Sequence, residues 1–297
     1  MTAPAPLSIA VLGPGGVGGL LAALLSRAGD DVTCLAGTST VAALRSGGLR
    51  VQSGRYGTFQ VPAVAAERLE QPVDVCLVAV KATQLDTALE RVPADVLGGG
   101  LIVPLQNGVE HVAVLRARYP SAVVAAAAIR IESTRTSPGQ ITHNSPFAAV
   151  ELSAAPGVRR LAEHLSAAGL DVAIRDVERD VLWDKLGFLA PLALLTTHAA
   201  EPIGVVRERH RADLLAVVNE LAAVARAEGA AGDPGPVIAA LDALPPSMRS
   251  SMQRDAQAGR PTELDALGGA ALRAAARHGI PMPVTTRLVS ELQARGR

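Results

Sequence analysis

The chain of 297 residues is long enough for two domains of ordinary size. Hydrophobic residues make up 49% of it and charged residues 19%, which supplies a packed core and excludes wholesale disorder. The 28 basic residues balance 28 acidic residues, and a formally neutral chain lacks the basic excess that nucleic acids and anionic membranes attract. We therefore expect neither a nucleic-acid partner nor a membrane partner.

The two cysteines, Cys34 and Cys76, lie in separate apolar segments without disulfide or metal-ligand spacing. This pattern predicts a reducing compartment and no metal site. No apolar run approaches the roughly 18 residues that span a bilayer, and no basic residue precedes the first apolar stretch. The expectation is a soluble, cytoplasmic protein without a signal peptide.

The first half of the chain alternates β-rich runs with helical patterns, which predicts a parallel sheet with helices on both faces. The predicted strands are residues 7–12, 32–35, 73–80, 101–105, 123–131, 139–143 and 147–152. The predicted helices are residues 18–28, 83–91, 109–118 and 156–168.

The second half has long helical patterns at residues 177–195, 211–228, 262–277 and 284–292, separated by Pro- and Gly-rich segments. The predicted fold class is therefore α/β, with an N-terminal Rossmann-type parallel-sheet domain followed by an all-helical C-terminal domain. We place the domains at residues 1–175 and 176–297, joined near Arg175.

A glycine-rich turn follows the first predicted strand and opens the first predicted helix. It reads Gly13, Pro14, Gly15, Gly16, Val17, Gly18 and fits the GxGxxG pattern. The early glycines permit a tight turn and a close approach to a pyrophosphate, and the last allows close packing of helix on strand. The helix N-terminus then offers N–H groups to the phosphates. The turn predicts a dinucleotide site, and the alternative is a purely structural glycine turn.

The end of the second predicted strand indicates which dinucleotide binds. NAD enzymes usually carry an Asp or Glu there, whereas this chain has Gly37 followed by hydroxyl residues from Thr38 onward. Because no carboxylate would repel a 2′-phosphate, NADP (as NADPH) is favoured over NAD. An alternative role for Thr38 or Ser39 is to cap the following helix.

Only two of the 28 basic residues are lysines, Lys81 and Lys185, and the other 26 are arginines. Arg replaces Lys on a surface but not where a proton must leave, so both lysines are candidate functional residues. The alternative is that the two lysines remain by chance and have no special function. Lys81 directly follows a predicted strand, at the sheet edge where ligands bind in open α/β sheets. A solvated loop lysine would be its ordinary role.

Lys185 lies on the apolar face of its predicted helix, between Val181, Leu182, Phe188 and Leu189. Desolvation lowers the pKa of an amine towards neutrality, which suits a proton donor. The alternative is that the side chain extends so that its amine reaches water.

Asn107 and Glu263 are two further candidates that have ordinary structural explanations. Asn107 follows a predicted strand and precedes a helix, so helix capping alone would explain it. Glu263 is predicted to lie in the first turn of the helix after Pro261, where a carboxylate stabilises the helix dipole. Spacing alone favours that role over a catalytic one.

These pieces together resemble the ketopantoate reductase (2-dehydropantoate 2-reductase) family over nearly the whole chain. The matching segments are the glycine turn 13–18, residues 80–82 (VKA), 106–108 (QNG), 182–186 (LWDKL), 250–252 (SSM), 262–265 (TELD) and 278–280 (HGI). The resemblance implies a Rossmann domain followed by a helical domain, with NADPH and substrate in a cleft between them. The sequence does not decide whether the protein forms a homodimer.

The resemblance also implies residue roles. Lys185 would be the general acid, and Glu263 would position Lys185 and the substrate hydroxyl. Asn107 would contact the nicotinamide ribose and Lys185. Lys81 would bind the cofactor, and Ser251 the substrate carboxylate.

The chain departs from the family at positions that hold the substrate and the cofactor phosphate. Two Asn of the family correspond to Leu189 and Ala193, its phosphate-binding Arg to Gly37, and a further Asn to Gly268. We therefore expect a less polar substrate than ketopantoate, or one that is held differently, and weaker discrimination for NADPH.

The sequence predicts an NADPH-dependent reductase of a 2-oxo acid, with a small carbonyl compound as its partner. The alternatives are a hydroxyacid dehydrogenase or imine reductase with the same two-domain plan, or a non-catalytic NADP sensor. A short-chain dehydrogenase is disfavoured because neither Tyr56 nor Tyr119 has a Lys four residues later.

Overall fold

The computed structural model describes residues 5–295. Contacts within the chain divide it into two compact units. Unit 1 comprises the chain up to Gln106 together with His111–Glu178, and unit 2 comprises Asn107–Glu110 and the chain from Arg179 onward. This division falls after Glu178, three residues beyond Arg175, and it assigns one short loop of the N-terminal half to the helical unit.

Unit 1 contains all the strands of the described chain. They are β1 (Ser8–Leu12), β2 (Asp31–Leu35), β3 (Leu49–Ser53), β4 (Gly57–Val61), β5 (Val64–Ala66), β6 (Val75–Val78), β7 (Leu101–Pro104), β8 (Val123–Val124), β9 (Ala127–Arg130), β10 (Ser133–Ser137), β11 (Gln140–His143), β12 (Ala149–Ser153) and β13 (Asp171–Arg175). Its helices are α1 (Gly16–Ala28), α2 (Thr38–Gly47), α3 (Leu85–Leu89), α4 (Ala94–Leu97), α5 (His111–Arg118) and α6 (Val158–Ala167), and a 3₁₀ turn at Ala82–Gln84 precedes α3.

Six strands form the parallel sheet that the alternating pattern predicts, in the order β5-β2-β1-β6-β7-β8. Counted along the chain, this is the strand order 3-2-1-4-5-6 of dinucleotide-binding domains. The strand order reverses between β1 and β6, and ligands of such sheets bind at the carboxyl ends of the strands beside that point. The Rossmann-type fold is therefore confirmed.

The predicted strand 123–131 is wrong as a single element. Residues 123–124 pair with β7 as β8, whereas residues 127–130 form β9 and pair antiparallel with β12 in a separate three-stranded sheet. A third sheet has the order β10-β11-β3-β4, of which the hydrophobic pattern indicated only β11. An apolar run shows that a segment is buried, but it does not show which sheet the segment joins.

Unit 2 is helical, as predicted. Its helices are α7 (Glu178–Ala199, whose first residue belongs to unit 1), α8 (Ile203–Arg209), α9 (Arg211–Ala227), α10 (Pro234–Ala243), α11 (Ser251–Gln257), α12 (Ala270–His278) and α13 (Pro283–Arg295). Helices α8, α10 and α11 are short and were not predicted. The predicted helix 262–277 instead begins after Glu263 and contains a π-helical turn at Asp265–Gly269 before α12.

Within residues 5–295, no single helix is both long and apolar enough to cross a membrane. The bent pair α7 and α8, whose axes differ by 84°, passes that test only when the two are taken together. No group of three or more His, Cys, Asp or Glu side chains in the described chain is arranged to hold a metal ion.

Candidate functional site

The glycine turn lies between β1 and α1 at the carboxyl edge of the parallel sheet, and three of its positions leave no room for a larger residue. At Gly16 an added Cβ would lie 2.1 Å from the carbonyl oxygen of Ser133. Gly13 has a φ of +89°, and a Cβ added there would lie 2.5 Å from Val80 Cγ1 on the neighbouring strand end. A Cβ on Gly18 would lie 2.2 Å from the carbonyl oxygen of Gly13. These contacts are the close packing of helix on strand that the motif predicts.

Gly15 is different, because a Cβ added there would meet no atom of the described chain within 4 Å. Gly15 is the N-cap of α1, and no side chain caps the helix. The first-turn N–H groups, those of Gly16 and Val17 among them, have no acceptor within the helix. An open glycine in front of such donors fits the phosphates of a dinucleotide.

Lys81 lies at the carboxyl end of β6, next to the glycine turn in the sheet order. It is exposed and precedes the 3₁₀ turn, and its neighbour Val80 packs on Gly13. The structure therefore places the amine-bearing residue and the glycine turn on adjacent strand ends of unit 1.

At the end of β2, Gly37 is the N-cap of α2 and no side chain caps the helix. The interpretation of Thr38 or Ser39 as capping residues is therefore wrong, and both are exposed. Their side chains therefore lie on the surface at this edge of the sheet, and the backbone at Gly37 has an ordinary φ of −73°.

Lys185 is buried in unit 2, with 8% of its surface exposed. It lies on α7, where Val181 and Leu182 on the preceding turn are buried and Leu189 on the following turn is half-buried. The apolar face that the sequence indicates is therefore real, and the lysine projects from it. A buried ammonium needs polar partners or a polar ligand.

Asn107 and Glu263 meet within unit 2. The Asn107 side-chain amide donates a hydrogen bond of 2.8 Å to Glu263 Oε2. Asn107 does not cap α5, which begins only at His111. Glu263 lies directly before the helical segment and not in its first turn, and its carbonyl oxygen accepts from the Leu267 N–H. The capping role considered for Asn107 is therefore wrong, whereas Glu263 does lie at the start of a helical segment, where a carboxylate also stabilises the helix dipole.

Further contacts hold the loop Asn107–Glu110 on the π-helical turn. Arg273 forms ion pairs with Glu110 at 2.7 Å and with Asp265 at 2.7 Å. The hydrogen bonds from Arg273 hold the pKa of Asp265 below its ordinary value. Gly108, at φ +96°, lies against the carbonyl of Ala266, only 2.6 Å from where a Cβ would lie. The loop is thus fixed at three points beside Glu263.

The candidate substrate residues differ in exposure. Ser251 is exposed at the start of α11, whereas its neighbour Ser250 is buried and caps that helix, its Oγ accepting from the Gln253 N–H at 3.0 Å. On α7, Leu189 is half-buried and Ala193 is 1% exposed. Neither of these two side chains can hydrogen-bond a polar substrate group.

Gly268 lies in the π-helical turn, where side chains leave no room for a larger residue. A Cβ added there would lie 2.4 Å from Val289 Cγ2 and 3.3 Å from Leu194 Cδ2. The asparagine that the family carries at this position would therefore require the core of unit 2 to shift.

Two arginines at these sites were not predicted from the sequence. Arg273 pairs with residues from two separate parts of the chain, and Arg91 lies beside the end of β2, with its Nη2 3.7 Å from where a Cβ on Gly37 would be. In a chain with 26 arginines no sequence signal distinguishes these two, because their partners are distant in the sequence.

Comparison with known proteins identifies the family. The sequence profile of ketopantoate reductase PanE/ApbA matches residues 9–157, and the profile of its C-terminal domain matches residues 178–296. The 2-dehydropantoate 2-reductase of Mycobacterium tuberculosis strain H37Rv is 31% identical, and the match covers 96% of this chain and 97% of that protein.

Comparison with solved structures gives the same family. The PanE/ApbA family ketopantoate reductase of Ralstonia eutropha JMP134 matches with a TM-score of 0.87 and 29% identity, over 96% of this chain and 97% of that one. A D-mandelate dehydrogenase in a ternary structure with NADH and anilino(oxo)acetate matches with a TM-score of 0.88 over 97% of this chain and 98% of that one. At 23% identity this second likeness shows the fold alone. The chain belongs to the ketopantoate reductase family of oxidoreductases.

Proposed function

We propose that the protein reduces a 2-oxo acid to a 2-hydroxy acid with NADPH, and that its substrate is less polar than ketopantoate. The observation that carries the proposal is the arrangement in unit 2, in which Lys185 is buried on an apolar helix face and Asn107 binds the Glu263 carboxylate. Burial of an amine is costly for a fold, and a lysine kept at such a place is typical of proton transfer.

Unit 1 would bind the coenzyme. The open Gly15 and the N–H groups at the start of α1 would hold the pyrophosphate, and Lys81 on the next strand end would add a positive charge. The end of β2 carries Gly37 and the exposed Thr38, with no carboxylate to repel a 2′-phosphate, which supports NADPH.

When bound, NADPH supplies the hydride that reduces the carbonyl carbon. Lys185 would donate a proton to the carbonyl oxygen as negative charge develops there, and its ammonium would stabilise that charge. Glu263 would orient the Lys185 amine and the hydroxyl that forms at the reduced carbon. Asn107 would hold the Glu263 carboxylate in place through its 2.8 Å hydrogen bond.

The substrate would be a 2-oxo acid with an apolar side chain. Leu189 is one helical turn beyond Lys185, so it would face the same ligand, and it cannot hydrogen-bond a hydroxyl. Ser251, exposed at the start of α11, would bind the carboxylate. A polar substrate would leave its hydroxyl without a partner, which costs affinity.

A second candidate is a 2-hydroxyacid dehydrogenase that uses NADH, and one observation favours it. The D-mandelate dehydrogenase of the same fold is described with NADH and anilino(oxo)acetate. The two proposals differ in coenzyme and in working direction. A non-catalytic NADP sensor is disfavoured because a sensor has no need of both Lys185 and Glu263.

Steady-state oxidation of NADPH and of NADH with a panel of 2-oxo acids, ketopantoate and alkyl 2-oxo acids included, tests these proposals. We expect turnover with NADPH and a higher kcat/KM for an alkyl 2-oxo acid than for ketopantoate. Turnover with NADH alone would favour the dehydrogenase. Coenzyme binding without turnover of any carbonyl compound would contradict an enzymatic function.

A further inference from the structure

The guanidinium of Arg91 lies at the carboxyl ends of β2 and β5, in unit 1. Its Nη1 donates to the carbonyl oxygen of Ala36 at 3.0 Å and to that of Glu67 at 2.8 Å. The backbone of Arg91 is also fixed, because its carbonyl oxygen accepts from the Leu69 N–H at 2.8 Å. The guanidinium is therefore held on this edge of the sheet.

The rest of the guanidinium has no such partner. Across residues 5–295, neither Nε nor Nη2 of Arg91 has a hydrogen-bond acceptor, and no carboxylate forms an ion pair with this side chain. Nη2 lies 3.7 Å from where a Cβ on Gly37 would be. Nε and Nη2 are adjacent donors of a planar fork. Held beside Gly37, two residues after β2, and left unpaired, they suit a bidentate contact with an oxyanion.

The position of this fork points to a particular anion. In a sheet of this strand order the adenosine ribose of a dinucleotide lies at the end of the second strand, and an arginine nearby accommodates a 2′-phosphate. Arg91 reaches that place from the segment after α3 and not from β2 itself. Glycine at position 37 leaves the space beside it open.

We propose that Arg91 binds the 2′-phosphate of the coenzyme and selects NADPH over NADH. The inference rests on the proposed function, since it assigns the residue that would discriminate between the two coenzymes. The positive charge of Arg91 compensates for the absence of a basic residue at position 37. Discrimination would then depend on one guanidinium whose Nη1 also joins two strand ends.

The test is the binding of NADPH and NADH by the full chain, followed by calorimetry or nucleotide fluorescence. We expect the wild-type protein to prefer NADPH. Arg91→Gln should weaken NADPH binding by about 10- to 100-fold, as expected for lost hydrogen bonds to a charged group, and leave NADH binding within about two-fold. Competition by adenosine 2′,5′-bisphosphate should weaken in parallel, and competition by 5′-AMP should not.

Arg45→Gln is the matched control. Arg45 also donates to a backbone carbonyl of β5, that of Ala65 at 2.9 Å, but it lies in the last turn of α2. This variant should leave the preference for NADPH unchanged.

Gly37→Asp tests the same contact without removing Arg91. The backbone at Gly37 accepts any residue, and Arg91 Nη2 is the nearest atom to the added side chain. The new carboxylate would pair with the guanidinium and repel a 2′-phosphate, so the ratio of NADPH to NADH affinity should fall at least about 10-fold. Gly37→Ser, which adds no charge, should keep the ratio within about two-fold.

Several outcomes would overturn the inference. Equal weakening of both coenzymes in Arg91→Gln would mean that Arg91 only joins the strands, and an unchanged ratio in Gly37→Asp would exclude the contact. A wild-type protein that binds NADPH no more tightly than NADH would overturn both this inference and the coenzyme of the proposed function. A wild-type preference for NADPH that survives in Arg91→Gln would overturn this inference alone.

Discussion

The Asn107 amide donates a 2.8 Å hydrogen bond to Glu263, although 156 residues separate the two in the sequence. The contact joins the loop after β7 to the residue that precedes the π-helical turn, and both belong to unit 2. It fixes the orientation of a half-buried carboxylate, which the function proposed for Glu263 requires.

Asn107→Ala should lower kcat by about 10- to 100-fold, because a hydrogen bond to a charged group is lost from the site. Steady-state kinetics and thermal unfolding would be measured together. Asn219→Ala is the control, since the Asn219 amide donates to the Leu215 carbonyl on an exposed part of α9. A kcat for Asn107→Ala within about two-fold of the wild type would show that the contact only supports the fold.

Lys185→Ala should lower kcat by about 10²- to 10⁴-fold and leave NADPH affinity unchanged, because a positioned general acid contributes that much. Lys185→Arg should not restore turnover, because a guanidinium does not release its proton. Lys81→Ala should instead raise the coenzyme KM and affect kcat little. Near-normal turnover in Lys185→Ala would refute the assignment.

Leu189→Asn should raise kcat/KM for ketopantoate relative to an alkyl 2-oxo acid by about 2- to 10-fold, since the amide can pair with the substrate hydroxyl. Leu189 is half-buried, so the smaller polar side chain can be accommodated. Leu189→Ala, which removes the apolar side chain without adding an amide, is the control. The same change of substrate preference in both variants would mean that the volume of the side chain at position 189, and not its polarity, decides which substrate is preferred.

Gly268→Ala should reduce the free energy of unfolding by about 1–3 kcal/mol, because the new methyl group would lie 2.4 Å from Val289 Cγ2. Adding Val289→Ala should recover part of the loss, which a double-mutant cycle measures. Gly187→Ala, on α7, should instead increase the free energy of unfolding. Its Cβ would meet only Val237, at 4.0 Å, and alanine favours a helix over glycine. Additive effects of the first two changes would contradict the predicted clash.

Both cysteines should be inert in the folded protein. Burial raises the pKa of Cys34 and of Cys76 to about 12, so at about pH 8 only roughly one ten-thousandth of each is thiolate. A thiol reagent should modify neither residue in the native state and both in concentrated guanidinium chloride. Rapid modification of the native protein would show that β2 or β6 opens locally.

Much of the site could be predicted from the sequence because its signals are local. The glycine turn needs only adjacent residues to adopt its shape, and the apolar face around Lys185 follows from helical periodicity within two turns. The parallel sheet followed because strand and helix patterns alternate over the first hundred residues. The four-stranded mixed sheet was missed except for β11, because β3, β4 and β10 carry several exposed residues and lack a continuous apolar run.

By itself, the sequence determined the fold class, the glycine turn and the burial of a single lysine on an apolar helix. Only the tertiary structure decided that Asn107 binds Glu263, that Arg273 holds the loop beside them, and that Arg91 lies beside Gly37. The physical reason is that these contacts join polar side chains far apart in the chain. Hydrophobic periodicity shows which residues are buried. A hydrogen bond or ion pair depends instead on which polar groups, distant in the sequence, the fold brings within about 3 Å of each other.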